Sequence, residues 1–76
     1  MIYFHDATDE KCPLPLVRLR RLLKNMQEGD NCIIQISDTG SKQDIPKLLK
    51  KYNYSYTESI IRDSVIELNI LYRKIN

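Results

Sequence analysis

Two prolines in a four-residue segment, Cys12-Pro13-Leu14-Pro15, constrain the fold of this chain more than any other feature of its sequence. A proline restricts the residue before it to extended backbone, and it suits the first position of a helix, where a missing N–H costs little. The segment therefore predicts that a helix begins at Pro13, with Cys12 as its N-cap and the thiol held outward by a rigid turn. Because Pro15 has no N–H, we expect the Leu14 N–H to be the main donor facing the sulfur.

The position of Cys12 at a helix start predicts a thiol that is partly ionised. The positive end of a helix dipole stabilises an anion by about 0.3–1 kcal/mol, which lowers the pKa of a thiol by about one unit or less. Lys11 and Arg18 would add to this effect, whereas Asp9 and Glu10 would oppose it. We expect a moderately nucleophilic thiol. In the alternative interpretation, Cys12 is only a small residue at a helix start.

Apolar residues recur at helical spacing after this motif and divide the first predicted helix into two faces. The helix is predicted from residue 13 to about residue 27, before a stop signal at Gly29. The face expected to pack in the core carries Leu16, Leu19, Leu22, Leu23 and Met26. The opposite face, beside the thiol, carries Leu14, Val17, Arg18 and Arg21. We interpret this opposite face as a docking surface for a partner protein; alternatively, its residues are ordinary exposed side chains.

Alternation of apolar and polar residues predicts four strands. The first two cover residues 1–5 and 31–37. The other two, residues 53–61 and 64–72, are rich in tyrosine and β-branched residues and flank a polar turn at Arg62-Asp63, which predicts a hairpin. Cys32 falls on the inward side of the second strand, so we expect it in the core.

A second helix is predicted between the second and third strands, with two candidate starts. The segment Ser41-Lys42-Gln43-Asp44 resembles a capping box, and Asp38 is an alternative cap for an earlier start. Pro46 is expected near the first turn, where a proline is least disruptive. The apolar side of this helix carries Ile45, Leu48, Leu49 and Tyr52.

The element order β-α-β-α-β-β predicts an α/β fold, more strictly α+β. Crossovers of one hand put both helices on the same side of a sheet, so we expect a two-layer sandwich with two helices on one face of a four-stranded mixed sheet. Without a linker or a repeat, residues 1–76 should form a single domain. A core of this size leaves no room for a deep cavity, which favours chemistry at a surface residue. The uncovered sheet face could support a weak dimer, so we expect a monomer or a weak dimer.

Composition argues against several function classes. Twelve basic and 10 acidic residues give a formal charge of +2, which is too balanced for direct nucleic-acid binding. No segment approaches the ~20 apolar residues that span a membrane, and the N-terminus has no basic leader, so we expect a cytoplasmic protein. Cys12 and Cys32 are expected to be free thiols, and with His5 they match no metal-site spacing, so we expect no metal and no cofactor. His5 is expected at a sheet edge without a catalytic role.

The motif and several residues at matching positions resemble the TusA/SirA-like family of sulfur carriers, which share a C-P-x-P motif at their first helix. Beyond the motif, the residues that carry the resemblance are Asp6, Gly29-Asp30, Asp38, Asp44-Ile45-Pro46 and Arg73-Lys74. The chain departs from the family pattern at Asp9 and Glu10, where a glycine and an apolar residue are usual, and at Thr39, which replaces a common proline.

The resemblance implies a sulfurtransferase that acts with partner enzymes. Cys12 would receive sulfur as a persulfide from a cysteine desulfurase and pass it to a thiol of a downstream acceptor protein, for tRNA thiolation or another sulfur-trafficking pathway. Lys11, Arg18 and the helix N-terminus would stabilise the persulfide anion, while Leu14 and Val17 would help to seat the partner. Two alternatives remain: a non-catalytic interaction or regulatory module, and a single-cysteine redox sensor.

Overall fold

The computed structural model describes residues 1–72, in which two helices cover one face of a four-stranded sheet. The elements are β1 (Ile2–Ala7), α1 (Leu14–Asn25), β2 (Asn31–Ile36), α2 (Thr39–Lys51), β3 (Ser55–Arg62) and β4 (Val65–Leu71). The predicted α+β sandwich is therefore confirmed. Neither described helix has the length and apolar character needed to cross a bilayer. The basic pair Arg73-Lys74, part of the family resemblance, lies outside the described residues.

The sheet is mixed, with the strand order β1-β2-β4-β3. β1 and β2 are parallel, so α1 serves as the crossover that parallel strands require, and β4 is antiparallel to both of its neighbours. The β3–β4 hairpin turns at Asp63-Ser64 rather than at Arg62-Asp63, because β3 continues through Arg62 and Ser64 takes the positive φ of 62°. β1 likewise continues to Ala7 instead of ending at residue 5, because Ala7 is fully buried and pairs with Ile36.

The core lies between the helices and the inward side chains of β2 and β4. Alternation along β2 is as predicted: Cys32, Ile34 and Ile36 are fully buried. The other residues with no exposed surface in this core are Ala7, Leu19, Ile45, Leu49, Leu68 and Ile70. The predicted core position of Cys32 is confirmed, and burial raises the pKa of its thiol to about 11.

The helices differ from expectation mainly at their ends. α1 begins at Leu14 and ends at Asn25, and on its core face Leu16 and Leu22 are only half-buried. α2 begins at Thr39, the earlier of its two candidate starts, because the Asp38 side chain caps it by accepting the Ser41 N–H. With this early start Pro46 lies inside the helix, so its predicted position near the first turn is wrong.

Substitution of one buried and one exposed strand isoleucine should have different effects on the free energy of unfolding. Ile34 is fully buried and Ile60 is 80% exposed. We expect Ile34→Ala to lower the free energy of unfolding by about 2–5 kcal/mol, because it leaves a cavity. Ile60→Ala removes the same atoms from solvent-exposed surface and should cost less than about 0.5 kcal/mol. Urea unfolding measures both, and equal losses would contradict this description of the core.

Candidate functional site

Cys12 lies in the loop that connects β1 to α1, and its side chain is exposed. The prediction that Cys12 is the N-cap of α1 is wrong: Pro13 occupies that position, and no side chain caps the helix. The Leu14 N–H donates to the Lys11 carbonyl at 2.9 Å, so it is not directed at the sulfur as expected. This backbone turn over residues 11–14 places the start of α1 after Pro13, and Pro15, the second residue of α1, is buried.

The carboxylate of Asp38 ties the Cys12 loop to the start of α2. Its Oδ2 atom accepts the Cys12 N–H at 3.1 Å and the Ser41 N–H at 2.9 Å, and the Ser41 hydroxyl donates to it at 3.2 Å. These donors, with the Ser41 N–H the strongest, lower the pKa of Asp38. A single charged side chain therefore caps α2 and fixes the backbone of Cys12.

A second carboxylate, that of Asp44, contacts the thiol itself. The Cys12 Sγ–H donates to Asp44 Oδ2 across 3.4 Å. This hydrogen bond is the largest of the effects that raise the pKa of Cys12, followed by desolvation and by the negative charges of Asp44 and Asp38. The predicted lowering of this pKa is wrong, because the thiol is not at the helix cap, and Asp44 of α2 and the α2 cap Asp38 approach Cys12 instead.

Gly40 allows this close approach. A Cβ atom at position 40 would lie 3.2 Å from the Cys12 Cβ, 3.3 Å from Asp38 Oδ2 and 3.6 Å from the Cys12 Sγ. The first two distances are shorter than ordinary van der Waals contact. Glycine costs roughly 1 kcal/mol relative to alanine within a helix. Its position in the first turn of α2 is explained by the space that Cys12 needs.

Glu10, in the same loop as Cys12, pairs with two neighbouring side chains. Arg18 Nε lies 3.0 Å from Glu10 Oε2, and His5 Nε2 lies 3.0 Å from Glu10 Oε1. The expected effects of Arg18 and Glu10 on the sulfur therefore offset one another. His5, for which no catalytic role was expected, contacts the loop through its hydrogen bond with Glu10. Lys11 is exposed, and its expected support of a sulfur anion stays a prediction.

The outer face of α1 is open, as the sequence predicts. Leu14 and Val17 are each 42% exposed, and Arg18 and Arg21 are exposed beside them. The docking role of this face stays a prediction. Its position next to Cys12 follows from the start of α1 at Leu14.

Sequence reasoning missed three residues of this site: Asp38, Gly40 and Asp44. The sequence predicted Asp38 as a candidate cap of α2 and Asp44 as part of a possible capping box, and both carry the family resemblance. It did not predict their contacts with Cys12, which lies 26 and 32 residues away along the chain. That resemblance was the available signal for both acids. For Gly40, the signal was a glycine two residues after the candidate helix cap Asp38.

The fold and the site define a small two-layer α/β protein that presents an accessible cysteine at the junction of β1 and α1. A family model described as "Sulfurtransferase TusA" matches residues 3–71. The crystal structure of the SirA-like protein from Desulfitobacterium hafniense has a TM-score of 0.81 to this chain, covering 97% of it and 100% of the other chain at 24% identity. That likeness supports the fold.

Curated relatives agree with the family model. The chain is 28% identical over 68 residues to a "Putative sulfur carrier protein" of Neisseria meningitidis serogroup A, covering 90% of this chain and 92% of the relative. It is 36% identical over 53 residues to a protein of the same description from Thermotoga maritima, covering 70% and 67%. The chain belongs to the TusA family of sulfur carriers, which confirms the resemblance inferred from the C-P-x-P motif.

An alanine at position 40 should change the reactivity of the Cys12 thiol more than the stability of the fold. We expect Gly40→Ala to change the free energy of unfolding by less than about 1 kcal/mol, because the gain in helix propensity offsets the crowding. The new methyl group should displace Cys12 from Asp44, so alkylation of Cys12 at pH 7 should become faster. Urea unfolding and intact-mass alkylation kinetics measure these two effects.

The matched control for this prediction is Gly29→Ala. Gly29 has a positive φ of 92°, and nothing lies within 4 Å of the position of an added Cβ. The substitution should lower stability by about 1 kcal/mol through backbone strain and leave the alkylation rate unchanged. An unchanged alkylation rate in Gly40→Ala would contradict the role assigned to the glycine.

Proposed function

We propose that this protein carries sulfur as a persulfide on Cys12. The observation that carries the proposal is the exposure of the Cys12 thiol on a turn fixed by Asp38, in a chain whose other thiol is buried. The family model and the relatives described as sulfur carriers support the same function. A small surface site suits this role, because the exchange of sulfur between thiols needs access and a suitable pKa rather than a cavity.

Loading is a transfer of sulfane sulfur between two cysteines. The Cys12 thiolate attacks the terminal sulfur of a persulfide on the donor; a new S–S bond forms at Cys12, and the S–S bond of the donor breaks. The donor leaves as a thiolate, which takes up a proton, while the proton of the Cys12 thiol passes to solvent. The products are a Cys12 persulfide and a donor thiol, so no external oxidant or reductant is needed. Delivery repeats the exchange, with a thiol of the acceptor attacking the Cys12 persulfide.

The donor in this proposal is a cysteine desulfurase, and the acceptor is a thiol protein of a sulfur-trafficking pathway such as tRNA thiolation. The reducing cytoplasm is the proposed compartment, because it keeps both cysteines free. Pro13, Leu14 and Pro15 shape the turn that carries the thiol. We further propose that residues 1–76 act as one domain, as a monomer or a weak dimer, without direct contact to nucleic acid.

The proposed docking surface is the outer face of α1 beside the thiol. Leu14 and Val17 supply exposed apolar area, and Arg18 and Arg21 supply positive charge next to it. Partly exposed apolar residues beside arginine are typical of protein interfaces. Binding there would bring a donor cysteine to Cys12 without any rearrangement of α1.

Incubation with a cysteine desulfurase and free cysteine, followed by intact-mass measurement, tests the carrier function. We expect the chain to gain the mass of one sulfur atom, and a reductant should remove it. Cys12→Ser should abolish the gain. Cys32→Ala removes the buried thiol and should preserve it. The proposal would be contradicted by loading that survives in Cys12→Ser, or by a Cys12 that forms only sulfenic acid or a mixed disulfide under oxidant and never gains sulfur.

Reversal of charge on the docking surface should slow loading. In Arg18→Glu with Arg21→Glu we expect a loss in loading rate on the order of tenfold, because charge at an interface mainly changes the association rate. Lys47→Glu with Lys50→Glu is a matched control, since it changes the same number of charges at the same helical spacing on exposed residues of α2. Equal effects of the two pairs would argue against the α1 surface.

Arg18 also pairs with Glu10, so its reversal disturbs the Cys12 loop as well as the surface. The single variant Arg21→Glu avoids this complication. A several-fold slower loading rate in that variant, with an unchanged alkylation rate of Cys12, assigns the effect to docking.

A further inference from the structure

We propose that Asp44 is a positioning residue that keeps the unloaded Cys12 thiol protonated, so that the free carrier reacts slowly at neutral pH. This inference rests on the proposed sulfur-carrier function, since it concerns the resting state of the same cysteine. It assigns to α2 a control over reactivity that the C-P-x-P motif itself does not supply.

The geometry supports this role. Asp44 Oδ2 lies 3.4 Å from the Cys12 Sγ, within the range of a thiol hydrogen bond, and the thiol is the donor. A carboxyl group is ordinarily several pKa units more acidic than a thiol, so a proton between the two stays on sulfur. The carboxylate therefore stabilises the thiol form as a hydrogen-bond acceptor and destabilises the thiolate by like charge.

The contact between Cys12 and Asp44 is fixed both by the Cys12 loop and by α2. Asp38 fixes the Cys12 N–H at 3.1 Å, and Gly40 leaves the space that allows α2 to approach the cysteine. On α2, Ile45 directly follows Asp44 and is fully buried, which anchors this turn of the helix in the core. The distance between Sγ and the carboxylate is therefore set by the fold rather than by a free side chain on a loop.

The charged groups around Cys12 also favour the protonated thiol. From α2 and its cap, Asp44 and Asp38 face Cys12, and both raise its pKa. In the loop of Cys12, Glu10 is paired with Arg18 and His5, which offsets its charge. Asp9 and Lys11 are exposed loop residues of opposite charge. The negative groups in direct contact with Cys12 thus come from α2 and its cap.

A protonated resting thiol has a chemical consequence for a carrier. Thiolates, not thiols, react with alkylating agents, oxidants and disulfides. Because Cys12 is exposed, neighbouring side chains do not shield its thiol from these reagents. The Asp44 hydrogen bond reduces its thiolate fraction while leaving the sulfur accessible to a partner protein.

The test is the pH dependence of Cys12 alkylation by iodoacetamide, a neutral reagent whose own charge does not change with pH. Rates are followed by intact mass for the unaltered chain, Asp44→Asn and Asp44→Lys. We expect the midpoint of the rate profile to shift to lower pH in Asp44→Asn and further in Asp44→Lys. Alkylation at pH 7 should become faster in the same order.

Matched controls are Asp9→Asn and Asp9→Lys, which make the same charge changes three residues before Cys12 on an exposed side chain. Their midpoints should stay close to that of the unaltered chain. Equal shifts in the Asp9 and Asp44 variants would overturn the proposal, because they would assign the effect to net charge. An unmoved midpoint in both Asp44 variants would overturn it as well.

The plateau rate of each profile at high pH distinguishes a change in the protonation of Cys12 from a change in its accessibility. A loosened loop would raise the plateau rate through greater access without moving the midpoint, and that result would also count against Asp44. Circular dichroism and urea unfolding verify that each variant is folded. Failure of the unaltered chain to accept sulfur from a desulfurase would reject the proposed function, whereas the midpoint shift would still report the Asp44 contact by itself.

Discussion

The arrangement of this protein's surface site depends on one oxygen atom, Asp38 Oδ2. It accepts two hydrogen bonds from Ser41 and one from the backbone of Cys12. The bonds from Ser41 begin α2 at Thr39, and the bond from Cys12 fixes the loop that leads to α1. Because α2 carries both Gly40 and Asp44, its start determines the surroundings of the thiol. Loss of this carboxylate would leave a helix uncapped and a loop without its anchor.

A rigid core makes such a small polar site possible. Pro15 on α1 and Ser41 on α2 are fully buried, close in sequence to the two sides of the site. Ile45 and Leu49 bury the inner side of α2 against the sheet. Site residues attached to packed helices keep their distances better than residues on free loops, which is how an exposed thiol can have defined partners in a short chain.

The sequence predicted what depends on local pattern and missed what depends on contacts between distant segments. Alternation along β2 correctly placed Cys32 in the core, and the element order predicted the mixed sheet. The pKa of Cys12 was predicted in the wrong direction, because Asp44 lies 32 residues away and only the packed fold brings it to the sulfur. Pro46 was misplaced for a related reason: the choice of Asp38 as the cap moved the start of α2 toward the N-terminus.

The two cysteines illustrate two physical ways to suppress the reactivity of a thiol. Burial raises the pKa of Cys32 to about 11 and also blocks its access, so that suppression lasts as long as the fold. Cys12 is exposed, and its pKa is raised first by a hydrogen bond to a surface carboxylate. A partner that brings a cation or an N–H donor to that carboxylate competes for the same oxygen. Only the second kind of suppression is therefore reversible by binding at the surface.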